Sequence, residues 1–322
     1  MVIYIMDEKR KVVLIGTGMV GMSMAYSLMN TGGIDELVLI DVDEEKARGE
    51  AMDLNHGLPY SFTKMKIYSG NYDDCKDSDI IVICAGANQK EGQTRLELTK
   101  INTKIIIDIS LKIKKSGFSG IIIIASNPVD ILSYVVYKVM GIDKRKIIGT
   151  GTLLDTARIQ YLLSEFLNIS CDDIEAYILG EHGDSSFISW ANTYIGCKNI
   201  IEYIDENKLD MNDLNDIYGE VKNAAYEIIE RKKATYYGIG LALNKLIQSI
   251  FNDSHKILCV SAYLDHEYTH SDIYMGVPCI ICRQGIKEIV KIPLNEMDQR
   301  QFDNSYSVLK KTKLEIKKEI SD

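Results

Sequence analysis

The sequence predicts the α/β fold class: a doubly wound parallel sheet in residues 1–148, followed by an α+β unit with an antiparallel sheet in residues 149–322. Two observations indicate the parallel sheet. Short runs of consecutive apolar residues, typical of strands covered on both faces, recur in the first half, and they alternate with segments of helical pattern. A third observation indicates the antiparallel strands, because strand-like runs at 257–264, 273–275 and 277–283 follow one another without an intervening helix.

The first apolar run leads directly into a glycine pattern. Residues 12–15 are predicted to form a buried strand, and a helix is expected after the turn that follows it. In that turn Gly16 permits a tight bend, Gly18 lets a pyrophosphate approach the backbone, and Gly21 lets the helix pack closely on the strand. The free N–H groups of the helix would face the anion. By itself the pattern is equally compatible with a glycine-rich turn between two buried elements.

The second apolar run, residues 37–40, ends at Asp41, about twenty residues beyond Gly21. A carboxylate at this position accepts hydrogen bonds from both ribose hydroxyls of an adenosine. It would also repel a 2′-phosphate, so it favours NAD over NADP. With Asp41 in place, the sequence predicts a Rossmann-type dinucleotide-binding fold and NAD as the cofactor.

The remaining elements continue the alternation of strand and helix. In the first half, further helices are predicted at 44–56 and 96–115, and further strands at 65–68, 79–86, 121–125 and 146–148. In the second half, the sequence predicts a helix at 153–167, a strand at 175–179, an irregular segment at 194–215, and helices at 212–233, 234–251 and 298–320.

Two polar segments follow strands of the predicted parallel sheet, at the edge where such sheets bind ligands. Residues 87–95 form either a solvated connector or a lid that closes over a substrate, and their position favours the lid. Asn127 comes directly after the strand at 121–125, in an Asn-Pro turn. Its amide could be directed at a ligand, or the residue could simply form the turn.

Three ionisable residues in the second half are candidates for chemistry. His182 lies between Gly180 and Gly183 at a strand end, where it is badly placed for core packing and well placed to reach a ligand. Asp155 and Arg158 are three residues apart and so share one face of a predicted helix. They could act on a ligand or simply pair with each other. Most of the other four histidines are expected at the surface.

Composition excludes several classes of function. The 37 basic and 46 acidic residues give a net charge of -9 and are spread along the chain. This argues against nucleic acid or an anionic membrane as the main partner, since both require a basic face. The N-terminal apolar run is too short for a signal peptide, and no stretch approaches the length of a membrane span. A cytoplasmic protein is therefore expected.

The seven cysteines are scattered among apolar neighbours and are expected to be reduced core residues. Cys279 and Cys282 have the spacing of a redox or metal-binding pair. They fall within a predicted strand, however, where residues three apart point to opposite faces. The sequence therefore predicts two buried thiols at these positions and no metal site.

Six blocks of sequence closely resemble the L-lactate and malate dehydrogenase family, and together they extend over essentially the whole chain. In family order they are residues 16–21, 85–95, 126–130, 154–158, 180–184 and 234–239. The resemblance is greatest to bacterial L-lactate dehydrogenases. It implies NAD-dependent, reversible reduction of pyruvate to L-lactate by a homotetramer.

The resemblance also implies a role for each matching residue. His182 would donate a proton to the pyruvate carbonyl, and Asp155 would fix the tautomer of His182 and favour the imidazolium. Arg158 would hold the substrate carboxylate with its planar fork, and Arg95 would move in with the lid to polarise the carbonyl. Asn127 would bond substrate or cofactor. The cofactor-binding residues implied are Gly16, Gly18, Met19, Val20, Gly21, Asp41, Ala85, Gly86, Asn127 and Ile239.

Substrate choice depends on Gln89 and Thr235. In the malate dehydrogenases, an arginine at the position of Gln89 pairs with the second carboxylate of oxaloacetate. Opposite an amide, that buried carboxylate would lack a counter-charge, which is costly. Thr235 resembles the residue that lies near the substrate methyl group in lactate dehydrogenases. The sequence therefore favours pyruvate, with malate dehydrogenase as the close alternative and a non-catalytic NAD-binding protein as the alternative from another class.

An effector site of the family is expected to be missing. Many bacterial L-lactate dehydrogenases are activated by fructose 1,6-bisphosphate, which binds between subunits to an arginine and a histidine. Gln160 and Glu175 occupy these two positions here. The pocket would lose two cationic contacts and gain a carboxylate that repels phosphate, so we expect no activation by this sugar bisphosphate.

Overall fold

The computed structural model describes residues 9–87 and 92–321, without the side chains of residues 320 and 321. Gln89 lies outside the described residues, together with residues 88, 90 and 91 of the predicted lid. In the described part of the lid, Thr94 caps the helix that follows. Its hydroxyl accepts a hydrogen bond from the backbone N–H of Glu97, and the Glu97 carboxylate accepts one from the Thr94 backbone N–H. This reciprocal cap starts the next helix at Arg95.

Among the described residues of the first half, six strands form a parallel sheet. They are β1 (Lys11–Ile15), β2 (Glu36–Ile40), β3 (Lys66–Ser69), β4 (Ile80–Ile83), β5 (Ile121–Ile124) and β6 (Ile147–Gly149). Their order is β3-β2-β1-β4-β5-β6, and each neighbouring pair is parallel. Every residue of β1, β2, β4 and β5 is buried, which explains why these runs are largely apolar. The order is the predicted Rossmann-type order, and it reverses direction between β1 and β4.

Four helices connect these strands and cover the sheet. They are α1 (Met19–Thr31), α2 (Glu44–Gly57), α3 (Arg95–Ser116) and α4 (Val129–Met140). In parallel sheets of this type, ligands bind beyond the carboxyl ends of the strands, at the point where the strand order reverses. The glycine turn follows β1, Ala87 follows β4 and Asn127 follows β5, so these three lie at the same edge of the sheet.

The second half contains both helices and short strands. Its helices are α5 (Leu153–Leu167), α6 (Ile200–Asn207), α7 (Met211–Lys232), α8 (Tyr237–Phe251), α9 (Glu296–Glu315) and α10 (Lys317–Ser321). Its strands are β7 (Ile174–Glu175), β8 (Ile178–Leu179), β9 (Phe187–Ile188), β10 (Tyr194–Ile195), β11 (Lys198–Asn199), β12 (Lys256–Asp265), β13 (Ser271–Cys282) and β14 (Gly285–Ile289).

The predicted antiparallel strands extend the parallel sheet. β12 pairs antiparallel with β6 through Ser261 and Gly149, and β13 and β14 continue the sheet to nine strands. The expected break in the strand at Gly276 is wrong. Gly276 lies inside β13, where its N–H and C=O both bond to Gly180. The division into residues 1–148 and 149–322 stays a prediction, and its boundary falls within β6.

Two further expectations for the second half are wrong. The strand expected at 175–179 is divided, because β7 pairs with β10 whereas β8 pairs with β9, in a different sheet. The segment expected to be irregular contains α6, whose Ile200 and Ile204 are four residues apart and buried. The Asn199 side chain accepts from the Ile201 N–H and starts this helix. Short elements of this kind depend on packing more than on an extended sequence pattern.

The cysteines and histidines largely follow expectation. Cys279 and Cys282 are buried and free, and burial raises the pKa of the Cys279 thiol well above its usual range. Two cysteines, Cys171 and Cys197, are exposed, so the expectation that all seven are core residues is wrong. Among the other four histidines, His56 and His255 are exposed, whereas His270 stacks on Tyr306 and is largely covered. No helix within the described ranges is long and apolar enough to cross a membrane.

Candidate active site

The glycine turn after β1 has the geometry of a phosphate-binding turn. Gly16 has a φ of +102°, and a Cβ there would lie 2.5 Å from the backbone nitrogen of Ala85. A Cβ on Gly21 would lie 2.2 Å from the Gly16 carbonyl oxygen, so helix and strand approach closely. A Cβ on Gly18 would meet nothing within 4 Å, and α1 has no side-chain cap. Open space over free helix N–H groups fits a dinucleotide phosphate.

Asp41 is fixed beside this turn. Its Oδ2 accepts hydrogen bonds from the backbone N–H of Thr17 at 2.7 Å and from the Thr17 hydroxyl at 2.9 Å. Its Oδ1 accepts from the Asp43 N–H at 3.1 Å. Burial opposes ionisation, but these donors outweigh it and hold the pKa of Asp41 below its usual value. An ionised, immobilised carboxylate can accept hydrogen bonds from a ribose diol and would repel a 2′-phosphate.

Asn102 ties the loops after β4 and β5 together. This α3 residue is buried, its Oδ1 accepts from the Ala87 N–H at 2.7 Å, and its Nδ2 donates to the Asn127 carbonyl at 2.9 Å. The Ser126 hydroxyl also donates to the Ala85 carbonyl at 2.6 Å. Sequence reasoning missed Asn102. The available signal was a polar residue on the face of α3 that also carries Ile106 and Ile109 into the core.

The structure brings together the three ionisable residues singled out in the sequence. His182 Nδ1 lies 2.7 Å from Asp155 Oδ2, and the other oxygen of Asp155 accepts from Arg158 Nη1 at 2.8 Å. The Asp155 side chain is 12 % exposed, that of Arg158 14 % and that of His182 29 %. Of the two alternatives for Asp155 and Arg158, the structure shows the pairing, and Asp155 also bonds to His182. Action of the two residues on a ligand stays a prediction.

Charge in this cluster favours the imidazolium form of His182. Burial by itself lowers the pKa of His182, but the Asp155 carboxylate outweighs burial, and the pKa lies above its usual value. Burial likewise disfavours ionised Asp155, yet His182 and then Arg158 hold its pKa below the usual value. Asp155 is thus a carboxylate across the neutral range, and its hydrogen bond fixes the ring so that Nε2 is the nitrogen left to a ligand.

The loop that carries His182 is held by several elements. Gly180 bonds to Gly276 of β13 through both of its backbone groups, and the Glu181 N–H donates to the Ser305 hydroxyl of α9 at 2.6 Å. The His182 N–H donates to Asp130 Oδ2 of α4 at 2.9 Å. Because α4 begins directly after the Asn127 turn, this last bond joins the cofactor edge of the sheet to the His182 loop.

Arg95 lies close to the same loop. It is the first residue of α3, and its Nη1 lies 3.0 Å from Asp184 Oδ2, two residues beyond His182. Both side chains are largely exposed, so the pair contributes little to stability and can be exchanged for a ligand at small cost. The lid residue expected to choose the substrate, Gln89, is outside the described residues, so its distance from Arg95 and His182 is not defined.

Helix α8 connects the glycine turn to the charged cluster. A Cβ on Gly240 would lie 2.7 Å from Ser23 of α1, and a Cβ on Gly238 would lie 3.0 Å from Leu154 of α5. Ile239, between these two glycines, is half-buried and packs against the main core. The half-buried Thr235 precedes the helix. Residues 235–239 are thereby placed between the predicted cofactor helix and the helix that carries Asp155.

Comparison with known proteins agrees with this geometry. Residues 10–149 match the family model described as lactate/malate dehydrogenase, NAD binding domain, and residues 152–320 match that of the lactate/malate dehydrogenase alpha/beta C-terminal domain. An L-lactate dehydrogenase of Geobacillus sp. (strain WCH70) is 48% identical over 301 residues, which is 93% of this chain and 94% of the relative.

Two solved structures are also similar. A lactate dehydrogenase enzyme from a Medee basin deep-sea metagenome library has a TM-score of 0.94 and 48% identity, covering 96% of this chain and 99% of its own. The minor L-lactate dehydrogenase of Enterococcus mundtii, in a ligands-bound form, has a TM-score of 0.93 and 45% identity, covering 95% and 98%. The NAD binding domain match confirms the predicted cofactor, and the chain belongs to the lactate/malate dehydrogenase family.

Proposed function

We propose that this protein is an NAD-dependent L-lactate dehydrogenase that interconverts pyruvate and L-lactate. The observation that carries the proposal is the cluster of buried Asp155 with half-buried Arg158 and His182, in which one carboxylate orients the imidazole and fixes a guanidinium beside it. A 2-oxo acid needs both groups, because its carbonyl must receive a proton while its carboxylate is held. The similarity to proteins named L-lactate dehydrogenase supports the same activity.

His182 is the proton donor in this proposal. Its Nδ1 is engaged by Asp155, so Nε2 is the nitrogen that delivers a proton to the pyruvate carbonyl oxygen. The raised pKa keeps the imidazolium populated around neutral pH, where pyruvate must bind to the protonated form. In the reverse direction, neutral His182 accepts the proton of the lactate hydroxyl. Asp155 stabilises the imidazolium and does not itself take up a proton.

Two arginines complete the substrate site. Within the described part of the chain, Arg158 pairs only with Asp155 and only through Nη1, which leaves the rest of its planar fork for the substrate carboxylate. Arg95 is held beside the His182 loop by Asp184. Release from this exposed pair lets Arg95 approach the carbonyl oxygen as negative charge develops there. Asn127 adds an amide at the same edge of the sheet.

The residues around the glycine turn would hold the cofactor. Gly16, Gly18, Met19, Val20 and Gly21 bind the diphosphate with their backbone, and Asp41 binds the adenosine ribose. Ala85 and Gly86 line the site from the end of β4, and Ile239 covers the nicotinamide face. When bound, NADH supplies the hydride that pyruvate accepts. The open space above Gly18 and the fixed Asp41 carboxylate support this assignment.

Selection of pyruvate over oxaloacetate is assigned to Gln89 and Thr235. A neutral amide at residue 89 gives the second carboxylate of oxaloacetate no counter-charge, and the cost of burying that carboxylate disfavours it. The decisive experiment measures kcat/KM for both acids with NADH. A strong preference for pyruvate supports the assignment, whereas a preference for oxaloacetate would instead indicate malate dehydrogenase. Turnover of neither acid would contradict the proposed function and leave an NAD-binding protein.

The protein is also proposed to work without fructose 1,6-bisphosphate. Gln160 donates to the carbonyl of Ala176, the residue next to Glu175, so the two positions are neighbours in the fold. This surface carries a neutral amide and a carboxylate where a bisphosphate needs cations. An allosteric ligand must bind one state of the protein more tightly than another. A site that repels fructose 1,6-bisphosphate does not bind it in either state, so the sugar bisphosphate cannot shift the protein between states.

A cytoplasmic homotetramer is the proposed assembly. Its support is a cleft of about 840 Å³ between α1 and α8, in which Tyr26, Tyr237 and Leu241 are each more than half exposed. An apolar face of this kind marks an interaction surface, and a second copy of the chain is the expected occupant. Sedimentation velocity measures the assembly, and a protein that stays monomeric at assay concentrations would contradict it.

A further inference from the structure

Asp130 is a buried carboxylate to which the sequence assigned no function. It is the second residue of α4 and is 2 % exposed. Its Oδ2 accepts from the His182 backbone N–H at 2.9 Å, and its Oδ1 accepts from the Ser261 hydroxyl of β12 at 2.5 Å. Both oxygens are thereby satisfied. An acid within the otherwise apolar start of α4 therefore has a specific partner in the His182 loop.

This arrangement holds His182 from two directions. Asp155 fixes the ring from α5, and Asp130 fixes the main chain of the same residue from α4. The backbone bond sets where the loop lies relative to the sheet, because α4 is packed directly on that sheet. Ring orientation and loop position are thus controlled by separate carboxylates.

Asp130 also contributes charge. The charged groups that act on His182 are Asp155 and Arg158 from α5 and Asp130 from α4. From β12, the Ser261 hydroxyl contacts Asp130, and the Cys259 thiol near both carboxylates is neutral because burial raises its pKa to about 12. Asp155 and Asp130 favour the imidazolium, and Arg158 opposes it. Burial raises the pKa of Asp130 to about 6. The hydrogen bonds from Ser261 and His182 lower this pKa, and the charge of the neighbouring Glu181 raises it. Asp130 is therefore mainly an anion above about pH 6, whereas the pKa of His182 is raised above its usual value, so the charge is present as His182 loses its proton.

We propose that Asp130 is a positioning residue that acts through His182: it fixes the main chain of the proton donor and favours its protonated form, extending pyruvate reduction to higher pH. The inference rests on the proposed function, since only a proton donor gives the charge of Asp130 this consequence. Asp130 does not contact the substrate in this scheme, and its effect is expected in the pH profile.

The experiment compares Asp130→Asn with the unmodified protein. The amide is the same size, can accept from the His182 N–H, and can donate to the Ser261 hydroxyl, so the contacts survive while the charge is lost. Removing one nearby opposite charge is expected to lower the alkaline limit of kcat/KM for pyruvate by about one pH unit. Rates at the acidic plateau should change little. Ser261→Ala is the matched control, because it removes a contact of Asp130 but keeps the charge, and its alkaline limit should stay in place.

The outcomes separate the alternatives. An Asp130→Asn profile with an unchanged limit, or a rate that falls equally at every pH, would overturn the inference and reduce Asp130 to a packing residue. Failure of the unmodified protein to reduce pyruvate would instead refute the proposed function. A measurement on the unmodified protein avoids dependence on how the variant folds. The NMR signals of His182 should show a small second step near pH 6, as Asp130 is protonated, and a single step would count against the inference.

Discussion

Replacing Asp155 with asparagine tests the charge that supports the proton donor. The amide can keep a hydrogen bond to His182 Nδ1, where the two residues are now 2.7 Å apart, but it cannot stabilise the imidazolium as a carboxylate does. Asp130, which favours the imidazolium, and Arg158, which disfavours it, would then be the charges left beside His182. Loss of an opposite charge at contact distance in a buried site lowers a histidine pKa by about 1–3 units, and about 2 units is a reasonable central value.

The size of the kinetic effect follows from this shift. Pyruvate binds to protonated His182, so its binding is fully supported below the pKa and is lost as the pH rises through it. Lactate needs the neutral form and shows the opposite dependence, with the same apparent pKa. Above the pKa of both proteins, the protonated fraction falls tenfold per unit, so a 2-unit shift lowers kcat/KM for pyruvate about 100-fold. The pyruvate KM should also rise, because Arg158 loses the partner that fixes it.

The assay follows NADH oxidation by pyruvate across the pH range for the unmodified protein, Asp155→Asn and Glu165→Gln. Glu165 is an exposed acid on the same helix, so its replacement controls for a general change of charge. The expected result is a profile for Asp155→Asn that is displaced to lower pH, with a smaller loss at the acidic end. A uniform loss with an unchanged midpoint would refute the reasoning, since it would show that Asp155 acts by packing and not by charge.

The remaining predictions concern specificity and regulation. Gln89→Arg should transfer much of the preference from pyruvate to oxaloacetate, because a charge-assisted pair contributes about 1.5–3 kcal/mol; unchanged kcat/KM ratios would contradict the assignment of Gln89. NADPH should be a much poorer substrate than NADH, because its 2′-phosphate would meet the Asp41 carboxylate, and equal rates with the two cofactors would show that this residue does not bind the ribose. Pyruvate saturation should be hyperbolic and unaffected by millimolar fructose 1,6-bisphosphate, and a several-fold fall in KM would mean that basic residues other than positions 160 and 175 rebuild the effector site.

The sequence by itself determined the elements that depend on local pattern. Unbroken apolar runs predicted the strands of the parallel sheet, because a strand buried on both faces has no polar side to alternate with. The glycine turn and Asp41 predicted the dinucleotide site, again from local sequence alone. Only glycine can adopt the φ of +102° seen at Gly16 without strain, or leave the space that the Ala85 backbone occupies.

The tertiary structure alone decided how distant residues combine. The sequence left open whether Asp155 pairs with Arg158, and packing of α5 against the His182 loop made it bond to both Arg158 and a histidine 27 residues away. Asp130 and Asn102 drew no attention in the sequence, because a single polar residue on a helix carries no periodic signal. Their importance comes from bonds that span 52 and 25 residues, to the His182 N–H and the Asn127 carbonyl respectively.

Strand pairing, too, is decided by the tertiary structure and not by local sequence. Apolar composition predicts that a segment is a strand, but it does not specify the neighbour. The chain changes sheets between β7 and β8, and β12 pairs with β6 to make one nine-stranded sheet among the described residues. Backbone N–H and C=O groups at a strand edge need hydrogen-bond partners, and tertiary packing decides which strand supplies them. Local sequence sets the identity of each element, and the competition among long-range contacts sets its partners.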